Sequence, residues 1–176
     1  MSIRNFQSHQ PQLGKNVFID ETAVIIGQVQ LGDDCSVWPL TAIRGDVNHI
    51  TIGHRTNVQD GTVCHVTSPS KSDPQGNPLI IGNDVTIGHR VVLHGCTIED
   101  ECLIGMNSVV LDQAVVKKQV LVGANSLVPP GKVLESGYLY LGSPIKQIRK
   151  LTDDEITFFK HSAAHYVKLK NKYLET

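Results

Sequence analysis

The chain has 176 residues, with 17 acidic against 16 basic side chains and a net charge of −1 at pH 7, so it carries no basic footprint for a nucleic acid. Aromatic residues are only 5%, so aliphatic side chains must fill the core of one domain with a small terminal appendage. No terminal stretch has the basic start and apolar run of a leader, and none approaches the ~20 apolar residues of a membrane span; the expected setting is the cytoplasm.

Residues 1–16 hold few apolar side chains and read as an N-terminal arm. A ladder of aliphatic residues six apart then begins: Ile19, Ile25, Leu31, Val37 and Ile43. After a nine-residue step it continues at Ile52, Val58 and Cys64. The polar run TSPSKSDPQGNP at 67–78 interrupts it as a loop insertion. The ladder returns at Ile81, Ile87 and Leu93, slips by one, and runs on through Ile98, Ile104, Val110, Val116, Val122 and Val128. Sixteen of these seventeen positions are Ile, Leu or Val, although only 50 of the 176 residues are. This six-residue step suggests a parallel β-helix with a corner at each step, spanning 17–135. Positions two before the ladder are mostly small or β-branched, as a tight triangular coil requires. All four cysteines lie on these two columns, which marks them as core residues rather than disulfides or a zinc knot.

Past Val128 the pattern stops at Pro129-Pro130-Gly131. Residues 136–176 form a C-terminal segment and helix: Thr152 and Glu155 make a capping box, and Ile156, Phe159, Ala163, Tyr166 and Leu169 follow at helical spacing. One amphipathic helix is expected over 153–174. Its apolar stripe must cover either this β-helix or a neighbour's.

Three six-residue steps make one coil of about 18 residues. If the 67–78 insertion bulges from a corner, Cys64 and Leu93 stack on the same face of successive coils. His65 and His94, each one residue further on, then lie one above the other at about the 4.8 Å strand spacing. Arg44 falls in the same column one coil below. His89, two after Ile87, stacks on Asp60 around a corner, and reaches the histidine pair only from a second copy of the chain. Three imidazoles with one open position is the arrangement of a catalytic zinc, which lowers the pKa of bound water to about 7.

These residues give the chain a resemblance to the γ-class carbonic anhydrases, a branch of the hexapeptide-repeat proteins, and to their short YrdA/PaaY-type members. It rests on Arg44-Gly45-Asp46, Asn57-Val58-Gln59-Asp60-Gly61, His65, Gly88-His89, His94-Gly95, Ile104-Gly105-Met106 and Leu141-Gly142-Ser143-Pro144, and covers nearly the whole chain. The resemblance implies a left-handed β-helix, a homotrimer and a zinc or iron ion at each subunit contact. His65 and His94 of one copy and His89 of the next would hold the metal, and CO2 would be hydrated to bicarbonate by a metal-bound hydroxide. By position, Arg44 and Asp60 resemble an ion pair across the contact, Asp46 its structural partner, and Gln59 the group that hydrogen-bonds metal-bound water.

Two positions depart from that pattern. Val47 stands where the archetypal enzymes have a glutamate, and the 67–78 loop offers only Asp73 in place of an acidic run, so proton transfer is expected to limit turnover. Tyr138 and Tyr140 are further candidates for the site. Competing readings are an acyltransferase of the same repeat superfamily, a thioesterase, and a non-catalytic metal-bearing scaffold.

Overall fold

A computed structural model describes residues 2–175 of the chain. They form a parallel β-solenoid of about eight turns with a single C-terminal helix. Most strands are two or three residues long, and each ladder residue points inward from one of three faces. On the first face Ile25, Ile43, Cys64, Leu93, Val110 and Val128 are in register. On the second, Leu31, Ile52, Ile81, Ile98, Val116 and Leu134 stack. The third runs from Ile19 through Val37, Val58, Ile87, Ile104 and Val122 to Tyr140. These columns are almost wholly removed from water and make one continuous core, so aliphatic burial dominates stability.

Corners explain the six-residue step. Three residues before a ladder position the backbone repeatedly enters the left-handed region, as at Asp34, Arg55, Asp84, Glu101, Asn107, Gln113, Gln119 and Asn125, with φ between 55° and 61°. All of these corner residues are polar and all but the buried Glu101 are at least partly exposed; Asn and Asp tolerate this conformation best. The four cysteines are buried thiols. Burial pushes Cys64 and Cys102 up to about 12, so they remain neutral packing groups.

Three irregularities break the repeat. The nine-residue step lies inside one long strand, Ala42–Ile52, where Gly45 pairs with Gly27 but Ile50 pairs with Val29. Residues 46–49 therefore bulge outward opposite Gln28 alone. The 67–78 insertion is closed at its root by an antiparallel bridge between Thr67 and Asn77. The third irregularity is the five-residue slip between Leu93 and Ile98, which contains Gly95.

The ends are more ordered than their composition suggests. Within the N-terminal arm, Ser2–Arg4 pairs in parallel with Val24–Ile26, and Gln12–Leu13 pairs with Gln30–Leu31. Tyr138–Leu141 continues the third face and is capped by the antiparallel strand Lys146–Lys150. The helix runs from Asp153 to Leu174 behind the Thr152–Glu155 capping box. It lies across this chain's own third face, against the strands at 18–19, 36–37 and 86–87. Phe159 and Ala163 are buried there, the Ser162 and Thr86 hydroxyls meet at 2.9 Å, and a fully buried Lys170 reaches Asp34 at 3.0 Å.

Candidate metal centre

Strands Val63–His65 and Val92–His94 are adjacent and parallel, with His65 in register with His94. Both side chains leave the solenoid on its first face. The rings lie 5.2 Å apart between centroids, and His65 Nδ1 approaches His94 Nε2 to 3.1 Å. Each remaining ring nitrogen meets a carboxylate. His65 Nε2 is 3.0 Å from Asp46 Oδ1, and His94 Nδ1 is 3.0 Å from Asp112 Oδ2. The outward bulge at 46–49 is what brings Asp46 to His65.

Arg44 donates to the second Asp46 oxygen at 2.6 Å. Burial pushes the Asp46 carboxyl up, but hydrogen bonds from Arg44 and His65, with the charge of Arg44, outweigh it and hold the group below the ordinary carboxylate range. Asp46 therefore stays an acceptor at neutral pH. Neutral imidazoles facing carboxylates direct their N–H groups at them, so the two nitrogens that face each other both present lone pairs. Lone pairs 3.1 Å apart repel unless a proton or a cation lies between them. Two nitrogens bound tetrahedrally to one zinc at 2.0–2.1 Å would be separated by about 3.3 Å. The donor set suits a divalent cation, with each ring already oriented by a carboxylate.

Among the described residues of one chain, no group of three or more His, Cys, Asp or Glu side chains converges to hold a metal. His89 sits at a corner after the strand Thr86–Ile87, with Nδ1 2.9 Å from Asp60 Oδ2 and nearly half of the side chain exposed. It lies beside a cleft of about 410 Å³ between the third face and the helix, lined also by Gln59, Met106, His161, His165 and Tyr166. Gln59 is buried, and its amide donates to Asn57 Oδ1 at 3.0 Å. Burial raises the Tyr166 hydroxyl, with a contribution from the charge of Asp60.

Within one chain, then, His65, His94, Asp46 and Arg44 come together, while His89, Asp60 and Gln59 form a second group. Arg44 pairs with Asp46, and Asp60 with His89. Tyr140 lies on the last coil, its hydroxyl accepting from Glu135 N at 2.8 Å and donating to Gln147 at 3.0 Å. Asp112 and Thr67 carry no motif in the sequence. The available signal was positional: Asp112 follows Val110 by two residues, as Asp60 follows Val58.

Comparison with known proteins adds to this geometry. A repeat model described as bacterial transferase hexapeptide (six repeats) matches residues 78–112. Protein YrdA of Escherichia coli is 58% identical over 173 residues, covering 98% of this chain and 94% of that protein. The mitochondrial gamma carbonic anhydrase 2 of Arabidopsis thaliana is 42% identical over 170 residues, covering 96% of this chain and 60% of that protein. The crystal structure of a hexapeptide transferase family protein from Anaplasma phagocytophilum superposes with a TM-score of 0.91 at 37% identity, covering 98% of both chains.

Proposed function

Because this chain belongs to the γ-carbonic-anhydrase-like family of hexapeptide-repeat proteins, we propose that it is a homotrimeric carbonic anhydrase, using zinc or iron to interconvert CO2 and bicarbonate. The observation that carries this reading is the pair of facing ring nitrogens, His65 Nδ1 and His94 Nε2 at 3.1 Å, each ring backed by its own carboxylate. A divalent cation held there supplies the charge that lets water ionise near neutral pH.

The remaining work falls to the protein. His65 and His94 of one copy and His89 of a second would hold the cation through their ring nitrogens. Asp46 and Asp112 fix the two rings. Gln59, beside His89, offers an amide to orient an oxygen of the substrate. Arg44 and Asp60, each nearly half exposed in a single chain, pair between copies and hold the contact in register. The trimer is further supported by Val63 and Val92, which flank the histidines yet are 42% and 36% exposed; a second copy would cover them. A closed ring of three copies gives three equivalent contacts and three sites.

The test combines metal analysis with stopped-flow CO2 hydration. We expect about one zinc per chain and measurable hydration, with both lost in His94→Ala while assembly mass and thermal unfolding stay unchanged. Zinc-loaded protein with no hydration would instead indicate a metal-bearing scaffold. Val47 is 41% exposed on the same bulge as Asp46, so a carboxylate there would meet water one residue away from the group that holds His65. Val47→Glu should raise the rate and weaken its dependence on buffer concentration. Acyl transfer is the second reading; the repeat model and the Anaplasma phagocytophilum protein are both described as transferases. It needs no three-histidine site, so acyl transfer by the metal-free protein would select it.

A further inference from the structure

The 67–78 insertion looks in sequence like a surface excursion, yet its root grips a candidate ligand. Thr67 and Asn77 exchange two backbone hydrogen bonds of 3.0 Å, closing the loop. The Asn48 amide clasps the closure, donating to Thr67 O at 3.1 Å and Gln75 O at 2.8 Å. From this fixed root the Thr67 hydroxyl donates to Asp112 Oδ1 at 2.5 Å, while Asp112 Oδ2 faces His94 Nδ1 at 3.0 Å.

Gly95 completes the arrangement. A Cβ at that position would lie 2.3 Å from Asp112 Oδ1 and 2.8 Å from the Asn77 Cβ. Its φ is +53°, but Asn107, Gln113 and Asn125 hold the equivalent corners at +57° to +61°. The corner alone does not demand glycine; the approach of the Asp112 carboxylate does.

We propose that Thr67 and Asp112 are positioning residues for His94. The Thr67 hydroxyl fixes the carboxylate rotamer, and the carboxylate keeps the ring proton on Nδ1. Nε2 is thereby left as a lone pair aimed at His65. The consequence for metal rests on His94 being a ligand, as proposed above, but the tautomer does not.

The test is ¹⁵N-edited NMR of the His94 ring in metal-free protein, for wild type, Thr67→Val, Thr67→Ser and Asp112→Ala. Wild type and Thr67→Ser should show a single Nδ1–H tautomer. Thr67→Val, nearly isosteric, and Asp112→Ala should show a mixture or the Nε2–H form. Zinc affinity by chelator competition should fall about 10–100-fold in Asp112→Ala and by a smaller factor in Thr67→Val. A His94 ring signal identical in all four proteins would overturn the proposal. Zinc binding absent from wild type, with the tautomer pattern as expected, would remove the metal reading and leave this brace standing.

Discussion

Between Thr97 and Leu134 the solenoid repeats without a break; between Ala42 and Gly95 it departs from the repeat three times. In the later half every strand is two residues long and every step after Ile98 is six. The earlier half contains the bulge at 46–49, the 67–78 insertion and the shortened step at Gly95. Each departure delivers something to the histidine pair: the bulge carries Asp46, the root of the insertion carries Thr67, and Gly95 makes room for Asp112. The regular coils supply a rigid wall, and the interruptions aim side chains from it. Stability and site chemistry should therefore respond to different substitutions.

The largest separation is expected from the regular half. Ile104 is fully buried, so Ile104→Ala should cost about 2–5 kcal/mol in denaturant unfolding while leaving zinc content unchanged in protein still folded. A midpoint shift accompanied by loss of metal would show that the two halves are not separable. Gly95→Ala should do the converse. Strain at the corner costs about 1–3 kcal/mol, but the displaced Asp112 carboxylate should weaken zinc disproportionately, as read by chelator competition.

The smallest effect belongs to the helix, remote from the histidine pair. A hydrogen bond from Arg149 and the backbone N–H of Thr152 lower the Glu155 carboxyl from 4.5 to about 2. A group whose pKa is depressed by folding contributes stability above its unfolded pKa and loses it as pH falls through the folded one. Glu155→Gln keeps an N3 side chain able to cap but loses the charge facing Arg149, and should thus cost only about 0.2–1 kcal/mol at neutral pH, as exposed ion pairs do. The difference from wild type should fade between pH 4.5 and about 2. A constant difference across that range would mean the cap does not work through its charge.

The wall was legible in the sequence, and the aiming was legible only in part. Aliphatic side chains every six residues leave no alternative to stacked coils, so the stacking of His65 on His94 followed from counting. The helix followed too, because Thr152 and Glu155 announce its start. Residues 2–13 did not read as strands, since pairing needs only three residues at 2–4 and two at 12–13, and these leave Ile3 and Leu13 at the exposed rim. Asp112 and Thr67 lie 45 positions apart and meet only because the insertion closes on itself. Periodicity records which face a residue is on; it does not record how a loop returns.

If each metal centre is divided between two copies of the chain, subunit complementation should restore it. His89→Ala and the double variant His65→Ala/His94→Ala are each expected to assemble without zinc. Co-expressed in equal amounts they form mixed trimers, in which roughly one contact in four pairs intact His65 and His94 with an intact His89 from the adjoining copy. Roughly one quarter of wild-type zinc is expected in that mixture and none in either parent. Zinc at the wild-type level in His89→Ala alone, or none in the mixed trimers, would contradict it.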